Sequence, residues 1–197
     1  MRKRYHILIA FMATLTLVSC ASQQYAHPTL TLIPESEYYA RIEKATKKQE
    51  HYDGLMNLLS YSATMLTSEV AQAQVDHQAR LYQYNDSSYQ NEKSKTQSEL
   101  AKQTDIFLSF YVPEKKYDDL AKRNTKWKIF LDVAGQRYEA KVTRMKGQLA
   151  ELVQYYPNHT RWSTAYKLTF PINTSITENG QAKLTITGPV TSSSVQF

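Results

Sequence analysis

The side chains best suited to chemistry are thinly spread in this 197-residue chain. Past the N-terminal segment the histidines are His27, His51, His77 and His159, and no two of them stand at metal-ligand spacing. His51 and Asp53 are two positions apart, where side chains on a helix do not face one another. No calcium-loop or phosphate-loop pattern occurs, so neither a metal nor a cofactor is expected. A serine nucleophile asks for a Gly-x-Ser-x-Gly elbow or a partnered Ser and His, and neither is legible. The expectation is a protein that is not an enzyme; a hydrolase stays open only because active sites are assembled from residues far apart in sequence. Thr191-Ser192-Ser193-Ser194 reads as a flexible terminus.

The densest gathering of useful side chains is Tyr155-Tyr156-Pro157-Asn158-His159-Thr160-Arg161-Trp162. Aromatic faces and an arginine in a loop between strands suit a ligand or partner patch made of Tyr156, His159, Arg161 and Trp162. The other reading of the same residues is a loop whose rings fold back to cap the β-structure. Ten basic residues fall between Lys115 and Lys146, and Arg137 and Lys141 are expected on one solvent face of a hairpin. They would extend the patch toward an anionic glycan or lipid, or they simply keep a sheet face soluble.

The one cysteine, Cys20, follows Leu17-Val18-Ser19. Before it stand Arg2-Lys3-Arg4 and a largely apolar run over 5–18, shorter than the roughly 20 residues of a bilayer-spanning helix. Residues 1–19 therefore read as a cleaved signal peptide. Leu17-Val18-Ser19-Cys20 resembles the lipobox of bacterial lipoproteins. That resemblance covers the first 20 residues and implies diacylglycerol on the Cys20 thiol, cleavage before it and, in many bacteria, a further acyl chain such as palmitate on the new amine. Two acyl chains at about 0.8 kcal/mol per buried methylene hold a protein on its membrane. With Ala21 and Ser22 after the cysteine and no Asp, the resemblance further implies the outer membrane, facing the periplasm or the cell surface, rather than inner-membrane retention. Loss of three bases and no acid with the signal lowers the formal charge from +6 to +3, which removes much of the case for a nucleic-acid partner.

Elements must position these groups, and the chain divides into a lipidated tether over 20–34, a helical region over 35–103 and a β-domain over 104–197. His27-Pro28 and Ile33-Pro34 suit an extended tether, while Leu30, Leu32 and Ile33 equally suit an arm packed on the body. Residues 36–50 and 52–84 predict two helices with a kink near Gly54. In the second, Leu55, Leu59, Leu66 and Val70 fall on one stripe, a docking face for a partner. After a break at Asn85-Asp86, residues 89–103 form a third, weakly amphipathic helix or a mobile connector. Beyond Thr104 the apolar period changes to two. Strands are expected over 105–112, over 127–133 and 138–142 around an Ala134-Gly135 turn, and over 149–156, 162–170 and 182–187. The expected class is α+β, a helical segment followed by an antiparallel β-sandwich of immunoglobulin-like or transthyretin-like type. Two functions compete: a non-enzymatic envelope component docking onto a protein complex through its helices, and a binding module for an anionic glycan or lipid.

Overall fold

The computed structural model describes residues 30–197. The segment expected to be a signal peptide, residues 1–19, and Cys20 lie outside the described residues. Helix α1 (Glu35–Lys44) is followed by strands β1 (Thr46–Asp53) and β2 (Met56–Met65), then helices α2 (Ser68–Leu81) and α3 (Asp86–Leu100) and strand β3 (Thr104–Tyr111). After a short 3-10 turn at Lys115–Tyr117 come β4 (Lys128–Val133), β5 (Gln136–Glu139), β6 (Lys141–Arg144), α4 (Leu149–Tyr155), β7 (Thr164–Phe170), α5 (Thr174–Asn179), β8 (Lys183–Thr187) and β9 (Ser192–Gln196). The class is mixed α+β, with two antiparallel sheets ordered β1-β2-β3-β7-β6 and β5-β4-β8-β9. No helix among the described residues is long and apolar enough to cross a membrane.

The helix expected over 52–84 is instead a β-hairpin and then a shorter helix. Leu59, Tyr61, Ala63 and Met65 are buried at every second position of β2, so the period of three to four was a coincidence of a period-two strand. Gly54, with φ +56°, supplies the positive φ of the two-residue turn between Asp53 and Met56, and so reverses the chain where a kink was expected. Because β2 then pairs with β3 from Ser60↔Tyr111 to Met65↔Ile106, the ladder crosses the boundary expected between residues 103 and 104. Thr67 and Asn85 cap α2 and α3 by accepting from the Val70 and Ser88 amides at 3.2 and 2.8 Å.

Inward side chains of both sheets share one core, in which Leu59, Ile106, Leu108, Phe110, Leu131, Leu168, Phe170, Leu184 and Ile186 are buried. The sheets are tied at one side by the chain itself, which leaves β5, bends at Ala140 and enters the other sheet as β6. At the other side His51 of β1 meets Ser193 of β9, Nε2 to Oγ 2.6 Å. The serine-rich tail is thus a paired strand rather than a flexible terminus, its Ser193 and Val195 turned inward. Residues 149–156, expected as a strand, form α4, which turns Leu152 and Tyr155 onto Phe107 and Ala165 on the outer face of the five-stranded sheet.

Helices α1 and α2 extend that cover, joined to α4 where the Tyr38 hydroxyl donates to the Tyr155 carbonyl at 2.8 Å. At their junction His77 is fully buried, stacked on Tyr38 with centroids 4.2 Å apart and edge-on to Tyr155. Burial pushes its pKa below the ordinary imidazole value. Leu30 and Leu32 pack beside Val75, Ala79 and Tyr89, so the arm reading holds for these residues.

Candidate binding groove

The helices cover only one end of the outer face. Along the rows of cross-strand partners, Thr46, Thr64 and Phe107 lie toward the covered end, and Lys48, Ser62 and Ser109, then Glu50, Ser60 and Tyr111, follow toward the other. Three serines side by side on neighbouring strands leave a trough because the residues around them, Lys48, Tyr52, Tyr111 and Trp162, are large. The result is an open groove of about 710 Å³ with Ser60, Ser62 and Ser109 as its floor. One wall is the outward edge of β1, with Lys48, Glu50 and Tyr52; the other is the loop after α4, with Asn158, Thr160, Trp162 and Ser163; Asn57 stands in the lining near the hairpin end. Apolar faces around convergent polar groups, at this size, make the groove the candidate site of the described residues.

The loop wall is held from beneath. Tyr156 is buried and stacks flat on Phe107, with centroids 3.6 Å apart and planes 1° from parallel. Burial raises its hydroxyl to about 12. His159, also buried, sits edge-on to the same ring, with Nδ1 2.8 Å from the Ser109 hydroxyl. Burial lowers its pKa below the ordinary imidazole value, and the Ser109 hydroxyl, which can donate or accept, pairs with Nδ1 in either neutral tautomer. These two anchors leave Trp162 68% exposed, with the Arg161 guanidinium 5.9 Å from its ring. Of the loop patch expected from sequence, Tyr156 and His159 therefore fold back, while Arg161 and Trp162 face solvent.

The two walls are joined by a residue that sequence reasoning passed over. Glu43, near the end of α1, accepts from Lys48 Nζ at 2.9 Å on one oxygen and from Asn158 Nδ2 at 2.7 Å on the other. Those hydrogen bonds, Asn158 first, hold its carboxyl below the usual carboxylate range. Nothing in the sequence links positions 43, 48 and 158; only the folded helix, strand edge and loop do.

Other expected site residues disperse. Arg137 is on β5 and Lys141 on β6, in different sheets, because the chain bends at Ala140; they do not share a face. Arg137 is held in a bidentate pair with Asp132 at 2.6 and 2.9 Å and lies over Phe130, and Lys141 pairs opposite Thr169, at the other end of β7 from the groove. The docking stripe is likewise divided. Leu59 is in the sheet core, Val70 is packed on α1, Leu66 is half-buried beneath the helices, and Leu55 alone is fully exposed at the hairpin tip. Two Ser and His pairs invisible in sequence do form, Ser109 with His159 and Ser193 with His51. Among the described residues no carboxylate hydrogen-bonds either imidazole, and no three His, Cys, Asp or Glu side chains are grouped to hold a metal.

Comparison with known families, with curated proteins and with solved structures finds no match. The groove must therefore be read from its own chemistry. It offers hydroxyls, carboxamides, one lysine, one glutamate and an exposed indole, a polar lining without a net charge of its own.

Proposed function

We propose that this chain is a lipid-anchored, non-catalytic binding protein of a bacterial-type cell envelope, held through Cys20 on the outer membrane and presenting its groove to an envelope glycan. The observation that carries the binding role is the juxtaposition of Trp162 and Tyr52, both exposed, across a floor of small hydroxyls. Such a trough accepts a sugar ring by its apolar face and its hydroxyls by hydrogen bonds. Anchoring rests on Leu17-Val18-Ser19-Cys20 and on Cys20 being the one cysteine. We read the two sheets as a sandwich of immunoglobulin-like or transthyretin-like type, a reading supported by the change of sheet at Ala140 and the edge contact of β1 with β9.

Sedimentation of the mature protein with isolated cell-wall sacculi tests the groove. Retention is expected, and Trp162→Ala is expected to release the protein at unchanged thermal stability, since an exposed ring contributes little to folding. Retention unaffected by Trp162→Ala would remove the groove as the binding surface. Separately, incorporation of labelled palmitate that persists in Cys20→Ser would remove the anchoring site.

A second reading, an adaptor docking onto an envelope protein complex, is favoured by the tip of the β1–β2 hairpin. There Leu55 and Met56 are exposed beside Tyr52. Co-purification of a defined envelope partner that Leu55→Asp with Met56→Asp abolishes would establish it; a partner retained by that variant docks elsewhere.

A further inference from the structure

The groove's polar groups narrow the ligand, on the reading above that it is a glycan. We infer that the groove selects an uncharged polymer of N-acetylated amino sugars over acidic polysaccharides and over plain glucose polymers. The charge argument comes first. Lys48 is the one basic residue of the lining, and its ammonium is held 2.9 Å from Glu43; Glu50 is the lining acid, accepting from the Tyr52 hydroxyl at 3.3 Å. A uronate or phosphate entering the groove would have to compete with Glu43 for Lys48 and would meet in Glu50 a carboxylate of its own sign, which disfavours it against an uncharged ligand. A cationic, deacetylated polymer is not opposed by these charges and is disfavoured by the loss of its acetamido groups.

The second argument is the state of the amides. Asn57 donates through Nδ2 to Ser60 Oγ at 2.7 Å, and its Oδ1 is buried without a hydrogen-bond partner. A carboxamide one bond short is matched by an acetamido N–H, provided that the Asn57 side chain turns its Oδ1 out of the buried position and exchanges its hydrogen bond to Ser60 for one to the ligand. With the Asn57 amide oriented either way, the acetamido group supplies the complement, since it carries both a donor and an acceptor. Its methyl group needs an apolar surface, and the Tyr52 and Trp162 rings on the two walls provide one. A glucose unit carries a hydroxyl at that position, which can meet the amide but leaves the ring surface unfilled. Crossing three strands, the groove runs roughly 10 Å at ordinary inter-strand spacing, long enough for more than one ring.

The test titrates the mature lipidated protein, in a detergent without a sugar head group, with four tetrasaccharides of matched length. These are β-1,4-linked N-acetylglucosamine, the same chain deacetylated, β-1,4-linked glucose and α-1,4-linked galacturonate. Fluorescence reports the groove, because Trp127 is buried and Trp162 is exposed. The expected result is saturable binding of the acetylated chain, at least tenfold tighter than each of the other three and unchanged by salt. Asn57→Leu is expected to reduce that preference over the glucose chain to less than threefold; the comparison on the unaltered protein stands whether or not this variant folds. Equal binding of the glucose chain, or tighter binding of the galacturonate, overturns the acetamido assignment while leaving a glycan groove in place. Binding of none of the four overturns both the assignment and the glycan reading.

Discussion

Replacing Leu59 and Leu55 separately by alanine distinguishes the hairpin from the helix that the apolar spacing predicts. In a helix the two would lie four positions apart on one face and respond alike. In the hairpin Leu59 is completely buried between the sheets, at the end of the shared core that also holds Tyr61, Phe110 and Val112, while Leu55 caps the turn in solvent. Leu59→Ala removes three buried carbons from a packed core and should cost about 3 kcal/mol, within the usual range for such truncations. For a chain of this size each kcal/mol lowers the melting temperature by about 2–4 °C, so a fall of roughly 6–12 °C is expected. Leu55→Ala should change stability by less than about 0.5 kcal/mol. Thermal unfolding followed by near-ultraviolet circular dichroism is the assay, since Trp127 packs edge-on to Phe110 in the same core and reports its loss. Similar shifts for the two variants would refute the placement of β2 between β1 and β3.

Three further outcomes follow from particular contacts. His77 and His159 both have pKa values lowered by burial, so the unfolded chain binds protons more readily than the folded one. Stability should be level above about pH 6.5, the unfolded value, and fall as pH drops below it through the lowered folded values. His77→Phe, which keeps a ring against Tyr38, should flatten part of that fall in urea midpoints compared at pH 7.5 and 5; an unchanged slope would clear His77. Gly188→Ala should destabilise by about 1–3 kcal/mol in urea, because a Cβ there would lie 2.2 Å from the Trp127 ring; a wild-type midpoint would show that the strand end yields freely. The buried Asp76 carboxylate accepts from the Tyr89 hydroxyl at 2.8 Å and from the Ile33 amide at 3.2 Å. Tyr89→Phe leaves it a donor short, at a cost of about 1–3 kcal/mol, and should speed amide exchange in α3, whose one buried side chain is Tyr89; protection equal to wild type would place the hold on α3 elsewhere.

The β-half was largely legible. Around Ala134-Gly135 both turn residues take positive φ, +52° and +76°, as a two-residue hairpin demands, and Ile129, Leu131 and Val133 alternate inward as their spacing predicts. What misled was a segment with two periods at once. Residues 55, 59, 63 and 66 fit a helix, and residues 59, 61, 63 and 65 fit a strand. Asp53-Gly54 was the local signal in favour of a hairpin. For 149–156 the apolar run is too short for periodicity to separate helix from strand, and the outer sheet face offered by Phe107 and Ala165 decided it.

Sequence alone determined part of the local grammar of this protein: the turn at Ala134-Gly135, the break at Asn85 and strands that alternate about that turn. Each depends on neighbours within a few residues, so it can be read along the chain. The groove could not be. Glu43, Lys48, Asn57, Ser109 and Trp162 come from a helix, three strands and a loop, and their order in the chain carries no trace of their proximity. Tertiary structure brought them together because the helices bury only the end of the sheet bearing Phe107 and Ala165. The serine-rich end carries Lys48, Glu50 and a row of hydroxyls, and burying those polar groups against apolar helix faces would cost more than it returned.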